Sequence, residues 1–286
     1  MDLRGKTALV TGASSGLGVE FAKQLAKRGA DLVITARRRE NLEQLKQEIE
    51  KDAGVRVSIV VLDLSEHEAP AKLFEEAERV AKIDVLVNNA GGGIHQTFLD
   101  IPWDRTLRQI QLNVVSLTEL TWRFGRAMRE RGGGHILNVS SIGAYTPSPT
   151  YATYSAGKAF VRDFSEAVAY ELADTNVRVC SLCPGGTVTE FHLAAGHELP
   201  SSFRATFQSA AECAEVGLDA LFAGRRNVIS GWLNKMSMFM LRFVPRRTMV
   251  WTAALTMGEP SGAGDVERSE TRRGGSHEAR FAKGER

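Results

Sequence analysis

Tyr154 and Lys158 stand four residues apart in a stretch whose pattern predicts an α-helix. Residues at this spacing share one face of a helix, so the phenol and the ammonium group are expected to point in the same direction. A neighbouring positive charge favours the phenolate and would lower the tyrosine pKa from about 10. Such a pair could exchange a proton with a carbinol oxygen near neutral pH. Because this spacing is common in helices, its meaning depends on the rest of the chain.

The composition fits one globular domain with extensions, since 43% of the 286 residues are hydrophobic. The 36 basic and 34 acidic residues leave a net charge of +2, which gives no electrostatic reason to expect a nucleic-acid partner. The start, MDLRGKTALV, does not resemble a secretory leader, and no run of 18 apolar residues occurs, so a cytoplasmic protein is expected. Cys180 and Cys183 spell C-x-x-C without a second pair, which favours small buried residues over a metal site.

Short apolar, β-branched runs alternate with longer helical patterns along residues 1–231. Strands are predicted at Thr7–Thr11, Asp31–Thr35, Val57–Leu62, Val85–Asn88, His135–Val139, Val177–Leu182 and Asn227–Ser230. Helices are predicted at Gly16–Arg28, Arg39–Asp52, Glu66–Ala81, Trp103–Arg131, Tyr151–Ala173 and Ala210–Ala223, the last opened by a capping box of Ser209 and Glu212. This alternation predicts a single α/β domain with a Rossmann-type doubly wound parallel sheet.

Residues 232–257 are predicted to form an amphipathic C-terminal extension, and residues 258–286 a disordered tail rich in charge, Gly and Ser. An apolar stripe at helical spacing consists of Trp232, Met236, Phe239, Met240 and Phe243. The basic residues of the extension are Lys235, Arg242, Arg246 and Arg247. The stripe could pack on the core or on another subunit, wall a pocket for an apolar substrate, or lie on a membrane surface. The first two interpretations together are favoured over the third.

Gly12, Gly16 and Gly18 follow the first predicted strand and open the first predicted helix. Glycines permit a tight turn and let backbone N–H groups approach a pyrophosphate, whose charge a helix N-terminus also favours. The spacing is G-x-x-x-G-x-G and differs from the common dinucleotide fingerprint. The competing interpretation is a glycine turn needed only for packing.

Arg37 and Arg38 follow the second predicted strand, where an NAD site usually places an acid for the ribose hydroxyl. Ala36 is neutral, and a guanidinium fits a phosphate bidentately, so NADP(H) is predicted in preference to NAD(H). A solvated basic helix start is the alternative, above all for Arg39. Asp63 could accept a hydrogen bond from an adenine amino group or simply cap a turn.

Six motifs occur in a fixed order along the chain. They are T-G-x-x-x-G-x-G at Thr11–Gly18, N-N-A-G at Asn88–Gly91, Asn113 within LNVVS, the serines of NVSS, Tyr154-x-x-x-Lys158, and P-G-x-x-x-T at Pro184, Gly185 and Thr189. With these motifs the chain resembles the short-chain dehydrogenases/reductases over about Leu3–Phe222. The resemblance implies an oxidoreductase of Rossmann fold that acts on CH–OH groups with a nicotinamide cofactor.

The resemblance also guides two choices between neighbours. Tyr151 is followed four residues later by Ser155, so only Tyr154 has a lysine partner. The catalytic serine of the family usually lies thirteen residues before the tyrosine, which selects Ser141 and leaves Ser140 as the fallback.

The roles implied by the resemblance divide between catalysis and cofactor binding. Tyr154 would be the general acid or base, Lys158 would lower its pKa and hold the ribose hydroxyls, Ser141 would bind the substrate oxygen, and Asn113 would support a water in a proton relay. The residues predicted to contact the cofactor are Gly12, Ser14, Ser15, Gly16, Leu17, Gly18, Arg37, Asp63, Leu64, Asn89, Ala90, Gly91, Tyr154, Lys158, Pro184, Gly185, Val188 and Thr189.

The predicted function is therefore an NADP(H)-dependent reductase of a small-molecule carbonyl, working as a homo-oligomer. The Met and Phe stripe favours a bulky, lipid-like substrate. Two alternatives are a non-catalytic NADP(H)-sensing protein with this fold and a lipid-surface scaffold that uses residues 232–257.

Overall fold

The computed structural model describes residues 1–186 and 208–257, which contain a seven-stranded sheet with every strand parallel to its neighbours. The strands are β1 Thr7–Thr11, β2 Asp31–Ala36, β3 Val57–Val61, β4 Val85–Asn88, β5 Gly134–Val139, β6 Val177–Cys183 and β7 Asn227–Ile229. Their order across the sheet is β3-β2-β1-β4-β5-β6-β7. The predicted fold class is confirmed.

Helices cover both faces of the sheet. They are α1 Gly16–Lys27, α2 Arg39–Ala53, α3 Ala69–Val80, α4 Trp103–Ile110, α5 Leu117–Glu130, α6 Ala152–Glu171, α7 Ala210–Phe222, α8 Trp232–Met240 and α9 Arg246–Met257. The predicted capping box is confirmed, since Ser209 Oγ accepts from Glu212 N and the Glu212 carboxylate accepts from Ser209 N. The site residues Val188 and Thr189 and the predicted tail at 258–286 lie outside the described residues.

The winding direction of the sheet changes at β1, whose two neighbours are β2 and β4. Loops that leave the carboxyl ends of β1 and β4 therefore diverge to opposite faces and open a crevice between them. Two apolar layers keep the sheet rigid below this crevice. Ala8 and Val10 of β1 pack in the layer of α1, α2 and α7, whereas Leu9 packs in the layer of α3 and α5.

The helix predicted at Trp103–Arg131 is interrupted in the structure. A π-helical segment at Gln111–Ser116 separates α4 from α5. Gly157 of α6 faces this segment so closely that a Cβ on it would lie 3.4 Å from Val114 Cγ2. Ser116 Oγ donates to Leu64 O at 2.6 Å, which ties the same segment to the loop after β3. The wider turn sets Asn113 toward the crevice, and π-helical turns are frequent at functional sites.

A chain of buried polar side chains crosses the layer beneath the crevice. Asn88 Nδ2 donates to Asn138 Oδ1 at 2.9 Å and to Thr121 Oγ1 at 3.1 Å, and Asn138 Nδ2 donates to Ser165 Oγ at 2.9 Å. These contacts join β4, β5, α5 and α6. Because leaving any one of these groups unpaired would cost about 1–3 kcal/mol, the chain fixes the register of the elements that carry the site.

The structure contradicts one of the three interpretations of the C-terminal extension, namely that its apolar stripe packs on the core. Within the described residues, the stripe does not pack on the core. Trp232 and Phe243 are each 72% exposed, and Met236, Phe239 and Met240 are also exposed. None of the helices in the described residues is long and apolar enough to cross a membrane.

Candidate active site

The Lys158 ammonium group is buried at the carboxyl end of β5. The residue is only 4% exposed, and its Nζ donates to Val139 O at 2.8 Å. Burial lowers the pKa of Lys158 to about 8 because the surroundings disfavour the charged form. The group is therefore still mostly protonated at neutral pH.

Tyr154 lies one helical turn before Lys158, and Lys158 Nζ is 5.8 Å from the centre of its ring. The two side chains share a helix face, as predicted. Burial raises the pKa of Tyr154 to about 12, and a hydrogen bond with Ser141 opposes that rise only in part. The pKa of Tyr154 therefore lies above its ordinary value, whereas the sequence predicted it below. Desolvation of the phenolate is the largest cause of the rise, and the Lys158 ammonium group is itself directed at Val139 O.

The structure separates the two neighbouring serines. Ser140 is buried, and its Oγ donates to Lys158 O at 2.7 Å, so it fastens α6 to the end of β5. Ser141 is partly exposed, accepts from Gly143 N at 3.0 Å and lies beside Tyr154. Its hydroxyl therefore faces the same space as the phenol, whereas that of Ser140 does not.

Asn113 and Lys158 meet around Gly91. Asn113 Oδ1 accepts from Gly92 N at 3.0 Å, and Asn113 Nδ2 donates to Gly92 O at 2.7 Å. A Cβ on Gly91 would lie 3.0 Å from Asn113 Oδ1 and 3.3 Å from Lys158 Nζ. The loop after β4 thus brings the predicted relay residue and the buried lysine to one point.

The glycine turn after β1 is held against the loop after β4. Asn89 Nδ2 donates to Thr11 O at 2.9 Å and to Gly12 O at 3.3 Å, while Thr11 Oγ1 accepts from the backbone N–H groups of Asn89 and Ala90. Gly12 has φ +67°, and a Cβ on Gly18 would collide with Gly12 O. This turn therefore requires glycine at both positions.

The first turn of α1 suits an anion. Ser15 is its N-cap residue, yet no side-chain hydrogen bond caps the helix and no acidic residue stands in the first turn. Ser14, Ser15, Gly16 and Leu17 are all partly exposed. The uncapped N–H groups and the helix dipole together fit a pyrophosphate, which is the cofactor group predicted for this position.

Two arginines border the glycine turn in different ways. Arg38 Nη2 donates to Ser14 O at 3.2 Å and to Ser14 Oγ at 3.3 Å. Arg37 is 73% exposed at its side chain and points to Asp63, with Nη1 at 3.9 Å from Oδ2. Both guanidinium groups stand at the edge of the crevice beyond β2.

Asp63 is already engaged. Its Oδ1 accepts from Ser65 N at 3.0 Å and from Ser65 Oγ at 2.7 Å, and its Oδ2 accepts from Arg108 at 2.8 Å. Partial burial raises the pKa of Asp63, but the hydrogen bonds from Ser65 and the charges of Arg37 and Arg108 outweigh it and lower the pKa overall. The residue caps a turn, which is the alternative left open by the sequence.

The remaining predicted residues also lie at the carboxyl edge of the sheet. Leu64 is buried and accepts through its backbone carbonyl from Ser116. Pro184 O accepts from Ile142 N at 2.9 Å, and the side chain of Asn234 in α8 fills the space where Gly185 would carry a Cβ. The loop after β6 is thus in contact with both the Ser141 segment and the C-terminal extension.

Thr11 and Arg38 are absent from the predicted cofactor contacts, although Thr11 holds the loop after β4 and Arg38 donates to Ser14 in the glycine turn. Thr11 could have been found as a hydroxyl at the end of an otherwise apolar strand. Arg38 could not be separated from Arg37 by sequence alone, because adjacent exposed cations give the same pattern.

The fold and the glycine-lined crevice define a doubly wound α/β protein of the dinucleotide-binding type. Residues 6–199 match the short chain dehydrogenase family, and the chain belongs to that family. It is also 36% identical over 182 residues to an uncharacterized oxidoreductase of Mycobacterium bovis, a match that covers 62% of this chain and 53% of the relative. The chain therefore spans about half the length of the curated relatives it matches first.

Two solved structures have the same fold. A 7beta-hydroxysteroid dehydrogenase has a TM-score of 0.82 and 27% identity, with 88% of this chain and 99% of the other covered. A short-chain dehydrogenase from Sphingobium yanoikuyae in complex with NADPH has a TM-score of 0.74 and 27% identity, with 84% and 97% covered.

The substitution Gly91→Ala tests the crowding around Asn113 and Lys158. The new Cβ would force both side chains apart, and misplacement on this scale costs about tenfold to a hundredfold in kcat/KM. Gly92→Ala is the matched control because a Cβ there has nothing within 4 Å. Steady-state kinetics of the two variants should differ accordingly. Equal losses in both would contradict the packing described here.

Proposed function

We propose that the protein is an NADP(H)-dependent oxidoreductase that interconverts a carbonyl and a secondary alcohol. The observation that carries this proposal is the buried Lys158 ammonium group beside Tyr154. The Ser141 hydroxyl faces the same space as the Tyr154 phenol. Burial of a cation lowers the stability of the fold. Such a residue is typical of an active site, where the cation stabilises a negative charge on a reacting group.

Tyr154 is the proposed general acid of carbonyl reduction. With a pKa of about 12 it holds its proton at neutral pH and releases it only to a stronger base, such as the alkoxide oxygen that forms during reduction. Ser141 Oγ donates a hydrogen bond to the same oxygen and stabilises its developing charge. In alcohol oxidation the phenolate takes the proton back.

Lys158 and Asn113 are proposed to support that proton transfer. The ammonium group stabilises the tyrosinate left behind, because the two charges are opposite and share a buried environment. Asn113, fixed on both sides by Gly92, would hold a water that connects Lys158 to solvent. Asn113 is therefore a proposed positioning residue for the proton relay.

The geometry of the crevice itself fits a dinucleotide. Side chains are excluded at Gly12 and Gly18, and the N-terminal N–H groups of α1 carry no side-chain cap. A bound nicotinamide would supply the hydride, and the protein would hold and orient it. Asn89, the Ala90–Gly91 backbone, Pro184 and Gly185 would line the site.

The preference for NADP(H) is proposed from the cations after β2. Arg37 and Arg38 flank the glycine turn, Ala36 offers no carboxylate to the ribose, and Asp63 is held by Ser65 and Arg108. A 2′-phosphate would therefore meet two guanidinium groups. The NADPH complex of the Sphingobium relative supports the same choice.

A bulky apolar substrate is proposed from the neighbourhood of Gly185. The helix α8, which exposes Trp232, Met236 and Phe239, contacts Gly185 through Asn234. Among relatives, a very-long-chain 3-oxoacyl-CoA reductase of Anas platyrhynchos is 36% identical over 184 residues, covering 63% of this chain and 59% of that protein. Its name denotes a substrate with a very long acyl chain, and the name of the hydroxysteroid dehydrogenase denotes a steroid, so each substrate has a large apolar part.

A homo-oligomer is proposed on separate grounds. The outer faces of α5 and α6 expose Trp122, Phe160 and Tyr170. Large exposed apolar side chains on these two helices favour burial against another copy of the chain.

Tyr154→Phe is expected to lower kcat by about a hundredfold to ten-thousandfold with a carbonyl substrate, because it removes the proton donor and leaves the ring in place. Binding of NADPH, followed by its fluorescence, should stay close to that of the parent. Tyr170→Phe, on the exposed face of the same helix, is the control and should retain full turnover. Near-parental kcat in Tyr154→Phe would rule out the mechanism.

The double variant Arg37→Ser/Arg38→Ser is expected to raise the KM for NADPH by about tenfold to a hundredfold and to leave the KM for NADH nearly unchanged, since only NADPH carries the 2′-phosphate. Arg39→Ser is the matched control, because Arg39 is exposed and pairs with Glu43. The measurement is the KM of the parent and of both variants for NADPH and for NADH. A parent protein that prefers NADH would refute the proposed preference for NADP(H).

A further inference from the structure

The C-terminal extension, residues 232–257, exposes apolar side chains that the described core does not cover. Trp232 and Phe243 are each 72% exposed and Trp251 is 63% exposed. The other large apolar side chains it exposes are Leu233, Met236, Phe239, Met240, Val250 and Leu255. A contiguous chain segment that exposes this many large apolar groups indicates an interaction surface.

Contacts with the catalytic domain fix the orientation of α8. Asn234 is buried, and its Nδ2 donates to Ser230 O at 2.9 Å. The same side chain fills the space beside Gly185 and Gly231. Because Asn234 is the residue of α8 that is buried against the domain, the exposed apolar residues of the helix are held facing outward, beside the loop that follows β6.

The charge of the extension has a single sign. It contains four cations, Lys235, Arg242, Arg246 and Arg247, and no Asp or Glu. Among the described residues none of these four forms an ion pair. The extension therefore offers exposed aromatic groups together with uncompensated positive charge.

A cleft of about 530 Å³ adjoins the extension, since Lys235 and Arg242 are among its lining residues. Its cationic lining residues are Arg162, Arg225, Lys235 and Arg242. Asp163 pairs with Arg162 at 2.7 Å and Glu166 accepts a hydrogen bond from Asn227, so Arg225, Lys235 and Arg242 give the cleft a net positive charge. The cleft therefore suits a phosphate group more than a cation.

We propose that residues 232–257 dock the protein on the surface of an anionic lipid bilayer. Trp232, Phe239 and Phe243 enter the interface between headgroups and acyl chains, while the basic residues and the adjacent cleft receive lipid phosphates. The extension lies on the bilayer without crossing it, which agrees with the absence of a spanning helix among the described residues.

The charges favour a bilayer over a second copy of the chain. In a two-fold contact the extension would meet itself, and its four cations would face the same four cations of the other copy. An anionic bilayer provides the opposite charge and an apolar layer at once. The surface also places the loop after β6, and with it the proposed active site, beside the lipid.

Vesicle flotation of the full chain tests the proposal. We expect the protein to float with vesicles of phosphatidylcholine and phosphatidylglycerol, to bind pure phosphatidylcholine at least about tenfold more weakly, and to be released by high salt. The variant Lys235→Ser/Arg242→Ser/Arg246→Ser/Arg247→Ser should lose at least about tenfold in affinity for the mixed vesicles.

The matched control removes four exposed cations elsewhere, as Lys27→Ser/Lys51→Ser/Lys82→Ser/Arg129→Ser, and should bind the mixed vesicles like the parent. Circular dichroism checks the fold of both variants. Absent flotation of the parent, equal binding to neutral and anionic vesicles, or equal losses in the two quadruple variants would each overturn the proposal. So would a Trp232→Ser/Phe243→Ser variant that dissociates an oligomer and leaves flotation unchanged, because a second copy would then cover the surface.

Discussion

The burial of the Lys158 ammonium group at the end of β5 is the constraint on which the rest of the site depends. A cation in this position needs an acceptor, and Val139 O provides it at 2.8 Å. It also needs α6 to stay close to the sheet, which Ser140 secures by donating to Lys158 O. The same helix carries Tyr154. The contact between Ser140 and α6, which keeps the ammonium group at its acceptor, therefore also fixes the position of the phenol.

Close approach of loops explains why small residues recur around that cation. Gly157 lets the π-helical segment of Asn113 reach α6, and Gly91 leaves room between Asn113 Oδ1 and Lys158 Nζ. On the other side of the crevice, Asn89 holds the glycine turn through the carbonyls of Thr11 and Gly12. The proposed catalytic and cofactor ends are thus joined by one short loop, residues 89–92. Changes in that loop should therefore affect both ends.

Sequence was sufficient for the fold because each buried strand is a short apolar run between turn signals. The strands β1 and β4 were predicted to the residue, and the other strands to within one residue at either end.

The π-helical break was missed, since residues 111–116 keep an uninterrupted helical pattern and their wider turn arises from contact with Gly157 and Leu64. The pKa of Tyr154 was predicted in the wrong direction because a pairwise argument omits desolvation. The exposure of the 232–257 stripe was also beyond prediction, because an apolar stripe has the same spacing whether or not the core covers it.

The most direct test of the buried Lys158 charge is the pH dependence of unfolding in the parent and in Lys158→Met. Burial lowers the pKa of Lys158 from 10.5 to about 8, so between these values the unfolded chain binds more protons than the folded one. The parent should therefore gain stability relative to Lys158→Met as the pH rises from about 8 to about 10, by up to about 1.4 kcal/mol per pH unit. Urea titrations at a series of pH values measure this difference. A difference that stays constant across that range would show that Lys158 is not a buried cation, and the account of the site would fail.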